Sequence, residues 1–303
     1  MTTADNVVTF RIAVKAIAAK YGLHATFMPK PIFGINGSGM HCNISLANTK
    51  GKNAFYDPKG EYQLSDTARY AIGGILKHIK SITAILNPTV NSYKRIVPGY
   101  EAPVYMAWSL ANRSALLRVP AKRGVSTRVE LRSPDPSCNP YLAFATILAA
   151  CLDGVRNKIE PPKPVESNIY KLSEKERKRL KIESLPGSLK EALDYMQKSL
   201  IAKTALGSHI LEEFTSTKER YRSSPSTVSR WASRLSTTSA CGSSIADTPP
   251  ARPSPPSRPF VMQDSGTLAS ISCTVSLEKR SLTGRLTSIP LLPSTQSTCQ
   301  PIA

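Results

Sequence analysis

Three groups of residues in this chain have types and spacing suited to chemistry on an anionic substrate. The first is Asn36-Gly37-Ser38-Gly39 followed by His41-x-Asn43-x-Ser45. Glycines let backbone approach a ligand closely. Side chains two apart on a strand share a face, so His41, Asn43 and Ser45 would converge beside that loop. A neutral imidazole in such a place is a common metal ligand; a turn and a half-buried strand with a satisfied histidine would explain the same residues. The second group, Arg128-x-Glu130-x-Arg132, repeats the alternation. It offers a carboxylate for a hard divalent cation beside a guanidinium whose fork matches a substrate carboxylate. A structural salt-bridge ladder is its alternative. In the third, Arg95 and Glu101 flank Pro98-Gly99. Such a loop can act as a lid that excludes water, or be an ordinary ion-paired surface loop. Arg113 and Arg118 follow, and their density suits phosphate.

The elements that must position these groups can be read in outline. Val7, Phe10, Val14 and Ile17 recur at helical spacing, with Asp5 or Asn6 as a start signal and Gly22 as a stop. Residues 25–46 read as extended chain with the Gly loop inside it, and Ser65-Asp66 opens a second helix that runs to about His78. Asn, Pro and Gly crowd residues 87–103, which predicts a loop. Arg113 to Arg132 reads as two strands around the basic turn 121–126, and Asn139-Pro140 starts an apolar helix. Ser173/Glu176 and Ser188/Glu191 have capping-box spacing and read as scaffold. From about Tyr221 the chain is roughly a third Ser and Thr, with clusters of Pro. Such a segment cannot bury enough apolar surface to offset chain entropy, so residues 221–303 are expected to be a disordered tail, either low-complexity or out of frame.

Length and composition narrow the function classes. A chain of 303 residues has room for two domains and a sizeable core. The net charge of +19 is compatible with anionic ligands. No segment interleaves basic and aromatic residues as a nucleic-acid stacking platform would, and nucleic acid is not an expected partner. The apolar run 141–152 is too short to span a bilayer. Six cysteines without CxxC spacing, and no charged-then-apolar leader, fit reduced thiols in a cytoplasm.

The motifs taken together resemble the type I glutamine synthetases. TFMPKP leading into NGSGMHC is similar to the family's active-site segment, and NPTVNSYKR with VPGYEAP to its glutamate-binding and flap segment. NRSALLRVP resembles its nucleotide-phosphate strand, and RVELRSPDPSCNPYLAFA its metal-and-glutamate strand with the following helix. The resemblance covers about residues 4–220. It implies an α+β catalytic domain of the glutamine synthetase/guanido kinase type, a curved antiparallel sheet backed by helices. The implied reaction is ATP-dependent ligation of ammonia to glutamate, with Mg²⁺ or Mn²⁺ as cofactor, in nitrogen assimilation. Site roles follow by resemblance: His41 and Glu130 as metal ligands, Asn36 and Gly37 in the loop that holds the amino acid, and Arg95 and Arg132 on the glutamate carboxylates. Glu101 corresponds to the flap residue that helps to deprotonate ammonium, Arg113 and Arg118 to arginines on phosphate, and Ser45 to the nucleotide site.

Some features depart from the family pattern. Asn43 stands where one branch has a second histidine and selects another branch. Tyr170 stands where that first branch has a nucleotidylated tyrosine, but Lys171-Leu172-Ser173 departs from that context, so a structural role is expected. Family members also carry an N-terminal β-grasp domain and a paired-glutamate strand that are not matched here. Metal coordination and the family's double-ring dodecamer interface are therefore expected to be incomplete in this chain by itself. Two alternatives accompany this reading: a ligase joining glutamate to an amine such as a polyamine, and a non-catalytic member that associates with full-length subunits.

Overall fold

A computed structural model describes residues 1–223 and the strand 268–276. Helix α1 (Thr2–Lys20) leads through extended chain to strand β1 (Gly39–Ala47). Helix α2 (Asp66–Leu86) and the short helix α3 (Ser92–Arg95) precede strands β2 (Tyr105–Ser109), β3 (Ala115–Arg118) and β4 (Val129–Leu131). Helices α4 (Pro140–Arg156), α5 (Glu174–Arg179), α6 (Leu189–Gln197) and α7 (Leu200–Ser223) follow, and β5 (Leu268–Ser276) closes the described set. The strands form one sheet in the order β2-β3-β4-β1-β5. It is antiparallel except for the short β2–β3 pair, which is parallel. The class is α+β, as the sequence implied.

The helix that supports the sheet follows from its residue pattern. In α2, Ala68, Ala71, Ile72, Ile75, Ile79 and Ile82 recur at three- and four-residue spacing and are buried. Its first turn is capped by Ser65, whose Oγ accepts the Ala68 N–H at 3.2 Å. α4 crosses α2 where Gly74 meets Ala150 and Gly154; a Cβ on Gly74 would lie 2.3 Å from the Ala150 carbonyl oxygen. Only a hydrogen side chain allows that approach. α4 itself begins with Asn139 Oδ1 accepting the N–H of Tyr141, with Pro140 in its first turn. The alternating burial of β1 places Met40, Cys42, Ile44 and Leu46 in the core and turns the intervening residues the other way.

Several sequence-based expectations need adjustment. The 87–103 loop contains one helical turn, α3, which carries Arg95. α1 starts at Thr2, with Asp5 in its first turn, and Gly22 takes φ +65° just beyond its end. The stripe expected to bury α1 is only partly buried: Val7 is inside, whereas Ile17 is 56% exposed. The tail expected from residue 221 lies outside the described residues apart from the end of α7 and β5. Strand β5 lies within that stretch. Its sequence alternates Ala269, Ile271, Cys273 and Val275 with Ser and Thr, a period-2 pattern, and its register places those apolar positions opposite Leu46, Ile44, Cys42 and Met40.

Candidate active site

Strand register and one short helix assemble the site. Asn43 is opposite Glu130 in the β1–β4 pair, and Arg118 is opposite Glu130 in the β3–β4 pair. Side chains from three adjacent strands therefore meet on one face. His41 Nδ1 lies 2.9 Å from Glu130 Oε1, and Arg118 Nε donates to Glu130 Oε2 at 2.7 Å. Burial would raise the Glu130 carboxyl, but the hydrogen bond to His41 and the Arg118 guanidinium outweigh it and hold it down at about 2. His41 is lowered from its ordinary value, chiefly by burial, so its neutral form is favoured.

A second cluster lies beside the first and is built differently. Arg95, 4% exposed, donates from Nη1 to the Ser133 carbonyl at 2.8 Å and from Nη2 to the Arg132 carbonyl at 3.2 Å. Arg132, 5% exposed, donates from Nη1 to the Arg113 carbonyl at 2.6 Å and from Nη2 to the Glu101 carbonyl at 3.4 Å. Arg132 Nε is buried without a hydrogen-bond partner. Among the described residues no carboxylate comes within salt-bridge distance of either guanidinium. Burial lowers both from the ordinary arginine range, so the environment disfavours cations that nothing fully compensates.

The two clusters line one cavity of about 480 Å³. Gly37, His41, Arg95, Glu101, Arg113, Arg118, Glu130 and Arg132 contribute to its wall. Five arginines face it against two glutamates. The Gly loop is tight: a Cβ on Gly39 would lie 2.5 Å from Arg95 Nη2. Asn36 and Ser45 do not line this cavity. Ser45 lies one residue beyond the stretch of β1 that pairs with β4, so it is carried past the cavity's end. Arg128, Asn43 and Tyr100 are wall residues to which no site role was assigned. The signal for Arg128 was its two-residue spacing from Glu130; its Nε donates to Asn43 Oδ1 at 3.1 Å.

Glu101 sits on the loop over this cavity at φ +57°, a left-handed conformation uncommon for a residue with a side chain. Tyr170 Oη donates to the carbonyl of the next residue, Ala102, at 2.5 Å, and Lys30 Nζ lies 3.7 Å above the Tyr100 ring. Tyr170 is thus part of the loop's anchorage. For a metal, the site offers one imidazole and one carboxylate, whose oxygens already engage His41 and Arg118. No third His, Cys, Asp or Glu joins them among the described residues. Mg²⁺ requires a fuller oxygen shell, so these residues do not by themselves complete a metal site.

Comparison with known proteins places this geometry in context. The family model described as glutamine synthetase, catalytic domain, matches residues 1–234. A glutamine synthetase of Thermotoga maritima is 59% identical over 220 residues, which is 73% of this chain and 50% of that protein. One of Methanosarcina mazei is 58% identical over 219 residues, 72% of this chain and 49% of that protein. The chain thus spans about half the length of the curated relatives it matches. Among solved structures, ligand-free GmaS superposes with a TM-score of 0.65 at 35% identity, covering 78% of this chain and 51% of that one. A GmaS/ADP complex gives 0.65 at 32% identity, covering 78% and 54%.

Proposed function

The chain belongs to the glutamine synthetase family through its catalytic domain, and from that premise we propose that its cavity serves the ATP-dependent ligation of ammonia to glutamate. The observation that carries the proposal is the pair Arg95–Arg132: two buried guanidinium groups held by backbone carbonyls, with no carboxylate of the described residues beside them. A buried cation pair without a salt-bridged carboxylate calls for an anionic ligand, and a guanidinium fork matches a carboxylate. Glutamate supplies one carboxylate for this pair and a second for reaction.

In this reading the γ-carboxylate oxygen of glutamate attacks the terminal phosphorus of ATP, and ADP leaves. The product, γ-glutamyl phosphate, is an acyl phosphate that water would hydrolyse. Ammonia then attacks its carbonyl carbon, and inorganic phosphate departs to leave glutamine. Arg113 and Arg118 bear on phosphate charge, a task of electrostatic positioning. Glu101, on the loop above, takes a proton from ammonium and helps to exclude water when the loop closes. Asn36 and Gly37 shape the amino-acid end, and Ser45 lies toward the nucleotide. Mg²⁺ or Mn²⁺ would supply further neutralisation of phosphate charge, with His41 and Glu130 as the donors this chain contributes. Its remaining ligands, and the family's ring assembly, would come from beyond the described residues.

The assay is phosphate release from ATP by the purified chain with Mg²⁺, glutamate and ammonium, alongside glutamate affinity by calorimetry. Glutamate-dependent binding supports the pocket, and ammonium-dependent turnover supports the whole reaction. Turnover with a polyamine and none with ammonium would assign an amine ligase instead. Glutamate binding without any turnover would favour the associating, non-catalytic member. Absence of glutamate binding overturns the proposal.

A further inference from the structure

Behind Arg95 lies a second layer of polar groups that the reaction scheme does not use. Asp135 is fully buried and lies just past the three carbonyls that receive the guanidinium of Arg95: those of Arg132, Ser133 and, at 3.5 Å, Pro134. Its Oδ1 accepts the N–H of Ser137 at 2.9 Å and the hydroxyl of Ser137 at 2.5 Å, and its own N–H donates to the Leu86 carbonyl at 3.2 Å. The amide of Asn87, oriented to satisfy both neighbours, donates to Asp135 Oδ2 at 3.2 Å and to the Ser133 carbonyl at 2.8 Å. The Ser133 carbonyl therefore serves both Asn87 and Arg95.

We propose that Asp135 is a positioning residue for Arg95, fixing through the Asn87 amide the Ser133 carbonyl that grips the guanidinium. The inference rests on the reading of Arg95 as an anion-binding group. A carboxyl suits this place because it only accepts: its two oxygens take donors from Ser137 and Asn87. An amide in its place offers N–H₂ where Asn87 already donates. Asn87 must then turn and withdraw its donor from Ser133. Asp135 acts on Arg95 through these groups and forms no salt bridge with it among the described residues, so the substrate-facing edge stays unblocked.

The test compares the full chain with Asp135→Asn in two measurements. Nuclear magnetic resonance of the arginine Nη groups should show hindered rotation for Arg95 in the wild type and free rotation in the variant. Calorimetry should show glutamate affinity about tenfold weaker in the variant, with ATP affinity unchanged. A folded variant that keeps its Arg95 signal and its glutamate affinity within about twofold overturns the inference. Should Asp135→Asn fail to fold, Ser137→Ala, which removes one hydroxyl donor to the carboxyl, is read by the same two measurements and decides in the same way. If the wild type binds no glutamate, the functional proposal fails, and the Nη measurement alone then decides on Asp135.

Discussion

The two ends of the cavity handle buried charge in opposite ways. At one end Glu130 lies between His41 and Arg118, so its charge is matched within the chain. At the other, Arg95 and Arg132 rest on backbone carbonyls, with no carboxylate at salt-bridge distance among the described residues. Carbonyl dipoles satisfy guanidinium hydrogens but do not cancel a full charge, and burying an unmatched charge is costly. The difference separates what is complete from what waits for a ligand. The Glu130 end is satisfied as it stands, whereas the Arg95–Arg132 end becomes balanced only when an anion arrives.

Breaking the unmatched end should give the largest effect. Arg132→Ala is expected to weaken glutamate binding by about a hundredfold or more, the scale for loss of a desolvated charge partner. Arg118→Ala, at the matched end, should change glutamate affinity by no more than about threefold. Calorimetry on both variants checks the contrast, and equal losses would erase it. The next effect concerns stability. The Glu130 carboxyl is held at about 2 against an ordinary 4.5, so its stabilising contribution is present above 4.5 and fades as pH falls toward 2. His41, lowered by burial, loses stability in the same direction as acid protonates it below its ordinary 6.5. Glu130→Gln should therefore cost at most about 3 kcal/mol at neutral pH, with the gap to wild type closing under acid. Urea unfolding from about pH 7 down to about pH 3 measures this, and a constant gap would refute it.

How much of this was legible depended on the range of the interaction. Spacing alone identified α2, its Ser65 cap, and the alternation that puts His41 and Glu130 on usable faces. The capping box of Ser173 and Glu176 is present as read. Cross-strand partners were not legible: that Arg118 meets Glu130 depends on the β3–β4 register, a contact between chain segments. That Ser45 lies beyond the stretch of β1 paired with β4 was not legible for the same reason. The exposed part of α1 shows a different limit. Apolar spacing predicts a helix but not which face finds a neighbour, and Ile17 stays 56% exposed.

Finer changes sharpen the comparison. Gly39→Ala would place a methyl 2.5 Å from Arg95 Nη2, on a guanidinium already fixed by carbonyls. The guanidinium has little room to yield, so glutamate affinity should fall about tenfold while the stability change stays near 1 kcal/mol. Unchanged affinity would mean that Arg95 can shift without losing its ligand. Ser65→Ala lies away from the cavity and should have the smallest effect on it. The hydroxyl caps Ala68 N–H and donates to the Ala54 carbonyl at 2.6 Å. Its loss should cost about 1–2 kcal/mol in urea unfolding. Glutamate affinity should remain as in the wild type, because α2 supports the sheet from the core side and contributes no residue to the cavity wall. If affinity fell together with stability, the anion pocket would be coupled to global packing, and the contrast between its two ends would lose its local origin.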